Sequence, residues 1–241
     1  MLRFRESRVG VVLSLVAASF LLVFTSQATA SVATYTGSDG SGRSASAIFD
    51  LSGSTLTVTL ANTSPGDAPD ATWILLAALF NTNSSLTPVS ASLPTGTTVY
   101  GSFVNNVGEG WQYKSGVSAH GMNSGISGAG YGVFGPSGNF FSPGVMLDGS
   151  DYGIAPIGFT NTGNASIKDP IFQNSIVFTL NAPGFSLSEL GNTIVFQYGT
   201  SLSEPSFNGT LQGSTPEPAS LMLFGSGVLG LTGLLRRKLK S

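Results

Sequence analysis

The chain has 241 residues, a net charge of −2, no cysteine, one histidine and only 9% charged residues. Disulfides, thiolate metal sites and a histidine-clustered zinc centre are therefore excluded. A charged fraction so far below the roughly 25% of ordinary soluble domains makes the placement of the apolar residues the first question. Part of the answer lies at the N-terminus, where Arg3, Arg5 and Arg8 precede an apolar run from Val9 to Phe24 and then Gln27-Ala28-Thr29-Ala30. A basic segment, a short apolar segment and a small-x-small site form a secretory signal peptide. The apolar run is short of the roughly 20 residues that a spanning helix needs. The expectation is a signal helix over residues 1–30, handled by Sec-type export machinery. Ala28 and Ala30 set its cleavage, and Ser31 is the mature start.

Residues 31 to 215 hold three bases (Arg43, Lys114, Lys168) against ten acids, a net charge of −7. Nucleic acid is excluded as a partner, because its recognition needs clustered Lys and Arg. Polarity comes instead from Ser, Thr, Asn and Gly. Ala45, Ala47 and Phe49 alternate with polar neighbours, and Leu56, Val58 and Leu60 alternate with threonines. This period of two, with a turn at Leu51-Ser52-Gly53-Ser54, predicts an antiparallel hairpin whose Leu56, Val58 and Leu60 face the core. Ala71 to Phe80 is continuously apolar and bounded by Pro69 and Asn81, which predicts a buried strand. Thr97–Val104, Ser175–Leu180 and Thr193–Tyr198 are further strand candidates. In the last, Ile194, Phe196 and Tyr198 share one face while Val195 and Gln197 share the other. With no long period-3.6 pattern between the two ends, the prediction is an all-β, jelly-roll-like β-sandwich.

From Gly101 to Gly158 the chain has 15 glycines in 58 residues, together with eight aromatic side chains. That mixture predicts long ordered loops pinned by aromatic anchors. It also holds the candidate ligand residues. Glu109, Trp111 and Tyr113 form a candidate sugar contact: rings stack on the apolar face of a pyranose while a carboxylate accepts hydroxyl hydrogen bonds. Asp148 and Asp151 are candidate calcium ligands, or the paired acids of a glycoside hydrolase. Asp67 and Asp70 offer similar oxygens. Neither pair follows the twelve-residue EF-hand pattern. His120, in Ser118-Ala119-His120-Gly121-Met122, reads as a polar loop residue, and no G-x-S-x-G elbow accompanies it. Asn62, Asn83, Asn164 and Asn208 each open a glycosylation sequon.

At the other end, Thr215-Pro216-Glu217-Pro218 leads into an apolar, glycine-containing run from Ala219 to Leu235, closed by Arg236, Arg237, Lys238 and Lys240. As a helix the run would be about 25 Å long, close to a thin hydrocarbon core. A transmembrane helix over 219–235 is expected, oriented by Arg236, Arg237 and Lys238 under the positive-inside rule. Pro216-Glu217-Pro218, the short apolar run and the basic end together resemble the PEP-CTERM sorting signal over residues 215–241. The resemblance implies recognition and cleavage by an exosortase. It further implies an inner-membrane intermediate, then the cell surface or extracellular matrix of a Gram-negative bacterium.

Within the middle, Val107-Gly108-Glu109-Gly110-Trp111-Gln112-Tyr113, Tyr131-Gly132-Val133-Phe134-Gly135, Asp151-Tyr152-Gly153-Ile154 and Val195-Phe196-Gln197-Tyr198-Gly199-Thr200 resemble recurring elements of the XDD-type exosortase-dependent surface proteins. That family implies a location and no catalytic activity. The whole reads as a signal peptide (1–30), a secreted β-sandwich domain (31–214) and a sorting signal (215–241). The expected function is non-enzymatic, structural or adhesive, in contact with extracellular polysaccharide and without a cofactor. The alternatives are a carbohydrate-binding module stabilised by calcium and a secreted glycoside hydrolase.

Overall fold

A computed structural model of the chain describes residues 31–102, 107–128, 149–160 and 164–216. These residues form β1 (Ser31–Ser38), β2 (Ser44–Ser52), β3 (Thr55–Asn62), β4 (Leu75–Phe80), β5 (Thr87–Ser92), β6 (Val99–Tyr100), β7 (Gln112–Ala119), β8 (Met122–Ser127), β9 (Ile154–Ala155), β10 (Ile171–Gln173), β11 (Ser175–Asn181), β12 (Thr193–Tyr198) and β13 (Ser206–Pro216). Between them lie three short 3-10 turns.

The predicted hairpin is β2–β3, turning through Gly53 at φ 61°. Its alternation assigns the faces. Ala45, Ala47, Phe49, Leu56, Val58 and Leu60 are buried, while Ser46, Asp50, Thr57 and Thr59 are directed away from the core. β11 pairs with β3 and buries Ile176, Phe178 and Leu180. β12 has the predicted bounds and both predicted faces. Ile194, Phe196 and Tyr198 enter the main core, and Val195 enters a second cluster with Leu76, Ala77, Leu79 and Ile171. The run Ala71–Phe80 divides: Ala71–Trp73 is a 3-10 turn capped by Asp70, whose Oδ1 accepts from Thr72 N at 2.8 Å, and the strand begins at Leu75. All six residues of β4 are buried, because this strand separates the two apolar clusters.

Four expectations need correction. The sandwich is the first. The strands join one hydrogen-bonded sheet in the order β5-β11-β3-β2-β1-β13-β12-β4-β9-β10-β6, with β8 also on β4 and β7 on β8. A sheet this wide curls under its own right-handed twist. Phe49 of β2 and Phe80 of β4, well separated in that order, thereby meet edge to face at 5.4 Å. The result is a half-barrel closed over its core rather than two stacked sheets.

The flanking helices are the second. Residues 1–30 and 219–235 lie outside the described residues, and among the described residues no helix is long and apolar enough to cross a membrane. The only helical pieces described are turns of three or four residues. The expected signal and transmembrane helices, and with them inner-membrane attachment and an inner-membrane intermediate, thus find no support among the described residues.

Third, Gln112–Ser127 is a hairpin rather than a loop. It reverses through His120-Gly121 at φ 51° and 79°, with Ala119 opposite Met122. Two successive residues with positive φ match the twist of the flanking strands, and glycine accepts this without a Cβ clash. Fourth, Thr97–Val104 contributes only the two residues of β6, which pair with β10, and residues 103–106 lie outside the described set.

Candidate functional site

Glu109, Trp111 and Tyr113 leave the 3-10 turn Val107–Gly110 and enter β7. The structure brings them together around Tyr152, but not as an open platform. Trp111 is fully buried, its ring 4.9 Å from that of Phe178, and its Nε1 donates to Tyr152 O at 2.8 Å. Tyr113 is half-buried and stacks on Phe80 at 6.4 Å. Glu109 Oε2 accepts from the Tyr152 hydroxyl at 3.3 Å. Burial, then the nearby Glu109 carboxylate, pushes the Tyr152 phenol up from its ordinary value. These residues pin the start of β7 to the Asp151-Tyr152-Gly153 turn. Gly110 is the meeting point, since a Cβ there would overlap the Tyr152 side chain.

Of the candidate calcium ligands, Asp148 lies outside the described residues, and Asp151 sits half-buried beside Tyr152. Asp67 and Asp70 serve as turn acids. Asp67 is held below the usual carboxylate range chiefly by the hydroxyl hydrogen bond from Thr160, against the opposing effect of burial. Asp70 caps the 3-10 turn. Among the described residues no group of three or more His, Cys, Asp or Glu side chains is arranged to hold a metal ion. His120 sits at the hairpin tip, its Nε2 2.9 Å from Gln197 Oε1. The buried Gln197 amide in turn donates to Tyr198 O at 2.7 Å and Ser201 O at 2.9 Å, fastening the β12–β13 loop.

Two polar nodes were not anticipated from sequence. Asn62, fully buried, donates to Trp73 O and Ile154 O, both at 2.9 Å, and accepts from Ser64 and from the Tyr198 hydroxyl. Its sequon is thus a core node with its amide nitrogen engaged, whereas Asn83 and Asn208 are exposed. The second is Glu189. Its Oε2 accepts from Thr82 Oγ1, Asn83 N and Ser84 N, and its Oε1 from Ser84 Oγ and Ser186 N. The Ser186-x-x-Glu189 spacing of a capping box was the available signal.

The remaining candidate site is formed by the two ends of the described chain. β1 begins at Ser31 and pairs antiparallel with β13 in the register Ser31–Pro216, Val32–Thr215, Ala33–Ser214 and Thr34–Gly213. A bulge follows, and Leu211 faces Tyr35. On its other side β13 pairs with β12 only through Ser206 to Thr210. The last contact there is Leu211 N donating to Asn192 O at 3.0 Å. Beyond it, Gln212 to Pro216 run beside β1 alone among the described residues.

Beneath this overhang lies a hollow of about 380 Å³, lined by Ser31, Ala33, Tyr35, Leu187, Ser188, Gly191, Asn192 and Leu211. The Tyr35 hydroxyl closes its floor by donating to Gly191 O at 2.6 Å. Ala28, Ala30, Glu217, Pro218, Arg236, Arg237 and Lys238 lie outside the described residues. The structure does place Pro216, as the last residue of β13.

Residues 214–238 match the PEP-CTERM protein-sorting motif. The match begins inside β13 and covers all of Pro216-Glu217-Pro218. The chain carries this sorting motif, as an exosortase substrate does. Proteins with the motif are typically non-catalytic surface proteins, and this chain contains no cysteine. The domain is a non-catalytic, β-rich exported domain bearing a sorting motif. No curated protein and no solved structure matches the chain.

Proposed function

We propose that residues 31–214 are the functional domain of the mature protein: a structural or adhesive domain of the cell surface or extracellular matrix. Ala28 and Ala30 direct removal of residues 1–30, and Pro216-Glu217-Pro218 is the element at which sorting removes the tail. The observation that carries this reading is the sorting-motif match at residues 214–238, contiguous with the last strand of the half-barrel. The structure supports a passive role for the domain itself. Its outer face over β2, β3 and β11 presents Ser46, Thr57, Thr59 and Thr179, with Asp50 as the acid and Ile48 and Val177 as apolar residues among them. Small neutral hydroxyl groups suit contact with an uncharged polysaccharide. Trp111, the ring best suited to grip a sugar, is spent inside the core.

The test is the intact mass of the protein recovered from the surface of its native host. The expected species begins at Ser31 and ends between Pro216 and Pro218, with any added mass on that C-terminus. Protein that retains Ala219 to Ser241 throughout the surface fraction would refute the sorting assignment.

A further inference from the structure

The overhang of β13 raises a question that sorting alone does not answer: how a partner engages a motif that emerges directly from a folded sheet. We propose that the sorting enzyme docks by strand addition. An extended segment of the enzyme would pair along the open edge of Gln212–Pro216 and place an apolar side chain in the hollow below. This rests on the sorting reading given above and adds the mode of recognition.

Three observations converge on it. First, the edge is open and unguarded. Among the described residues no strand lies on the β12 side from Gln212 onward, which leaves the outward N–H and C=O groups of Gln212–Thr215 without a strand partner there and able to template another strand. Gln212-Gly213-Ser214-Thr215 carries no charge and no proline, and Pro216, which has no N–H to donate, ends the pairing stretch. The sheet's terminal strand β5, by contrast, is blunted by Pro88 and a register shift.

Second, the hollow sits where β12 would have continued. Leu187 and Leu211 flank it, with Ala33 and Tyr35 from the inner face of β1. Its volume is enough for one large apolar side chain. Backbone pairing beside a side-chain pocket is the arrangement by which sheet edges bind extended peptides: the ladder supplies affinity and the pocket selects the side chain.

Third, the edge and the motif are one strand. The sorting match starts at residue 214, so its first three residues already belong to the overhang. A partner that reads Pro216-Glu217-Pro218 must lie along it. This continuity singles out the sorting enzyme rather than a second copy of the chain as the occupant.

The experiment uses the full chain in its native host, with conversion followed by pulse-chase and intact mass. Ser188→Trp and Asn192→Trp each place a large ring at the exposed mouth of the hollow and leave the motif untouched. Each is expected to slow conversion at least tenfold with an unchanged melting temperature. Conversion at the normal rate with the hollow filled would overturn the proposal. Should either variant fold poorly, a photoreactive benzoylphenylalanine at the exposed position Gln212 decides. A crosslink to the sorting enzyme supports strand addition; a crosslink to a second copy, or none, overturns it. Glu217→Ala separates the two levels of the argument. If it converts normally, the sorting assignment itself fails. If it blocks conversion while the tryptophan variants convert normally, only the docking mode fails.

Discussion

Glu189 offers the sharpest test of how the half-barrel is held together. Its carboxylate lies in the 3-10 turn before β12 and binds the Thr82–Ser84 loop between β4 and β5, more than 100 residues away in sequence. Burial alone would raise its pKa. The hydrogen bonds from Ser84, Thr82, Asn83 and Ser186 outweigh burial and hold it at about 2, against an ordinary 4.5. At about 1.4 kcal/mol per pH unit the shift has a ceiling of roughly 3.4 kcal/mol. Because the carboxylate is partly open to solvent, screening reduces this to about 1–2 kcal/mol.

The sign follows from the depressed value. The unfolded chain takes up the proton first, so the contribution is complete above pH 4.5 and disappears as pH falls toward 2. Glu189→Gln keeps the shape and removes the charge. It should lower stability at pH 7 by about 1–2 kcal/mol, or roughly 2–8 °C in melting temperature for a domain of this size. The gap from wild type should narrow steadily between pH 5 and pH 3. Thermal melts of the two proteins at pH 7, 5, 4 and 3 make the comparison. A gap that stays constant across that range would refute the claim that an ionised, hydrogen-bonded carboxylate does the work.

Two further substitutions probe the core. Trp111→Ala removes a fully buried indole and leaves Tyr152 O without its donor, so urea denaturation should show a loss of roughly 3–5 kcal/mol. A loss below about 1 kcal/mol would place the ring outside the core. Asn62→Leu strands the carbonyls of Trp73 and Ile154 and should cost about 3 kcal/mol by the same measurement. A near-neutral result would show that water replaces the amide.

What the sequence made legible, and what it hid, follows from the range of the interactions. β2, β3, β11 and β12 were readable because a strand with one core face writes its orientation into every second residue. β12 was readable on both faces because Ile194, Phe196 and Tyr198 are larger than their neighbours. β7 and β8 were hidden: Lys114-Ser115-Gly116 and Asn123-Ser124-Gly125 contribute little apolar signal, and their pairing is stabilised by β4 alongside. Of the Ala71–Phe80 run only Ile74–Phe80 is buried, and its division at Asp70–Ile74 depends on a capping hydrogen bond that apolar patterning does not encode. Glu109, Trp111 and Tyr113 illustrate the opposite error. A carboxylate among rings has the composition of a sugar platform and equally that of a buried anchor. Tyr152, more than 40 residues downstream, settles which. Gly110, between Glu109 and Trp111, has no room for a side chain because Tyr152 lies against it.

The position of the ends in the sheet links folding to sorting. The first strand and the last are neighbours at its middle, not at its margins. β1 joins β2, β3, β11 and β5 to one side of β13, while β12 joins β4 and its partners to the other. Among the described residues β13 is the only strand that pairs by a backbone ladder with a strand of each half. Until β13 is in place no strand ladder joins the two halves, which then meet through side chains such as Asn62, bonded to Ile154 O, and Tyr198, bonded to Ser44 O. Phe207, whose ring lies 5.5 Å from that of Tyr198, arrives only with β13. The strand that completes the domain is also the strand from which the sorting motif emerges. A chain that has not closed its sheet presents residues 212–216 without β1 beside them and without the hollow beneath. Recognition by strand addition would then favour the folded domain over the unfolded one, and sorting would select for completed folding without any separate inspection step.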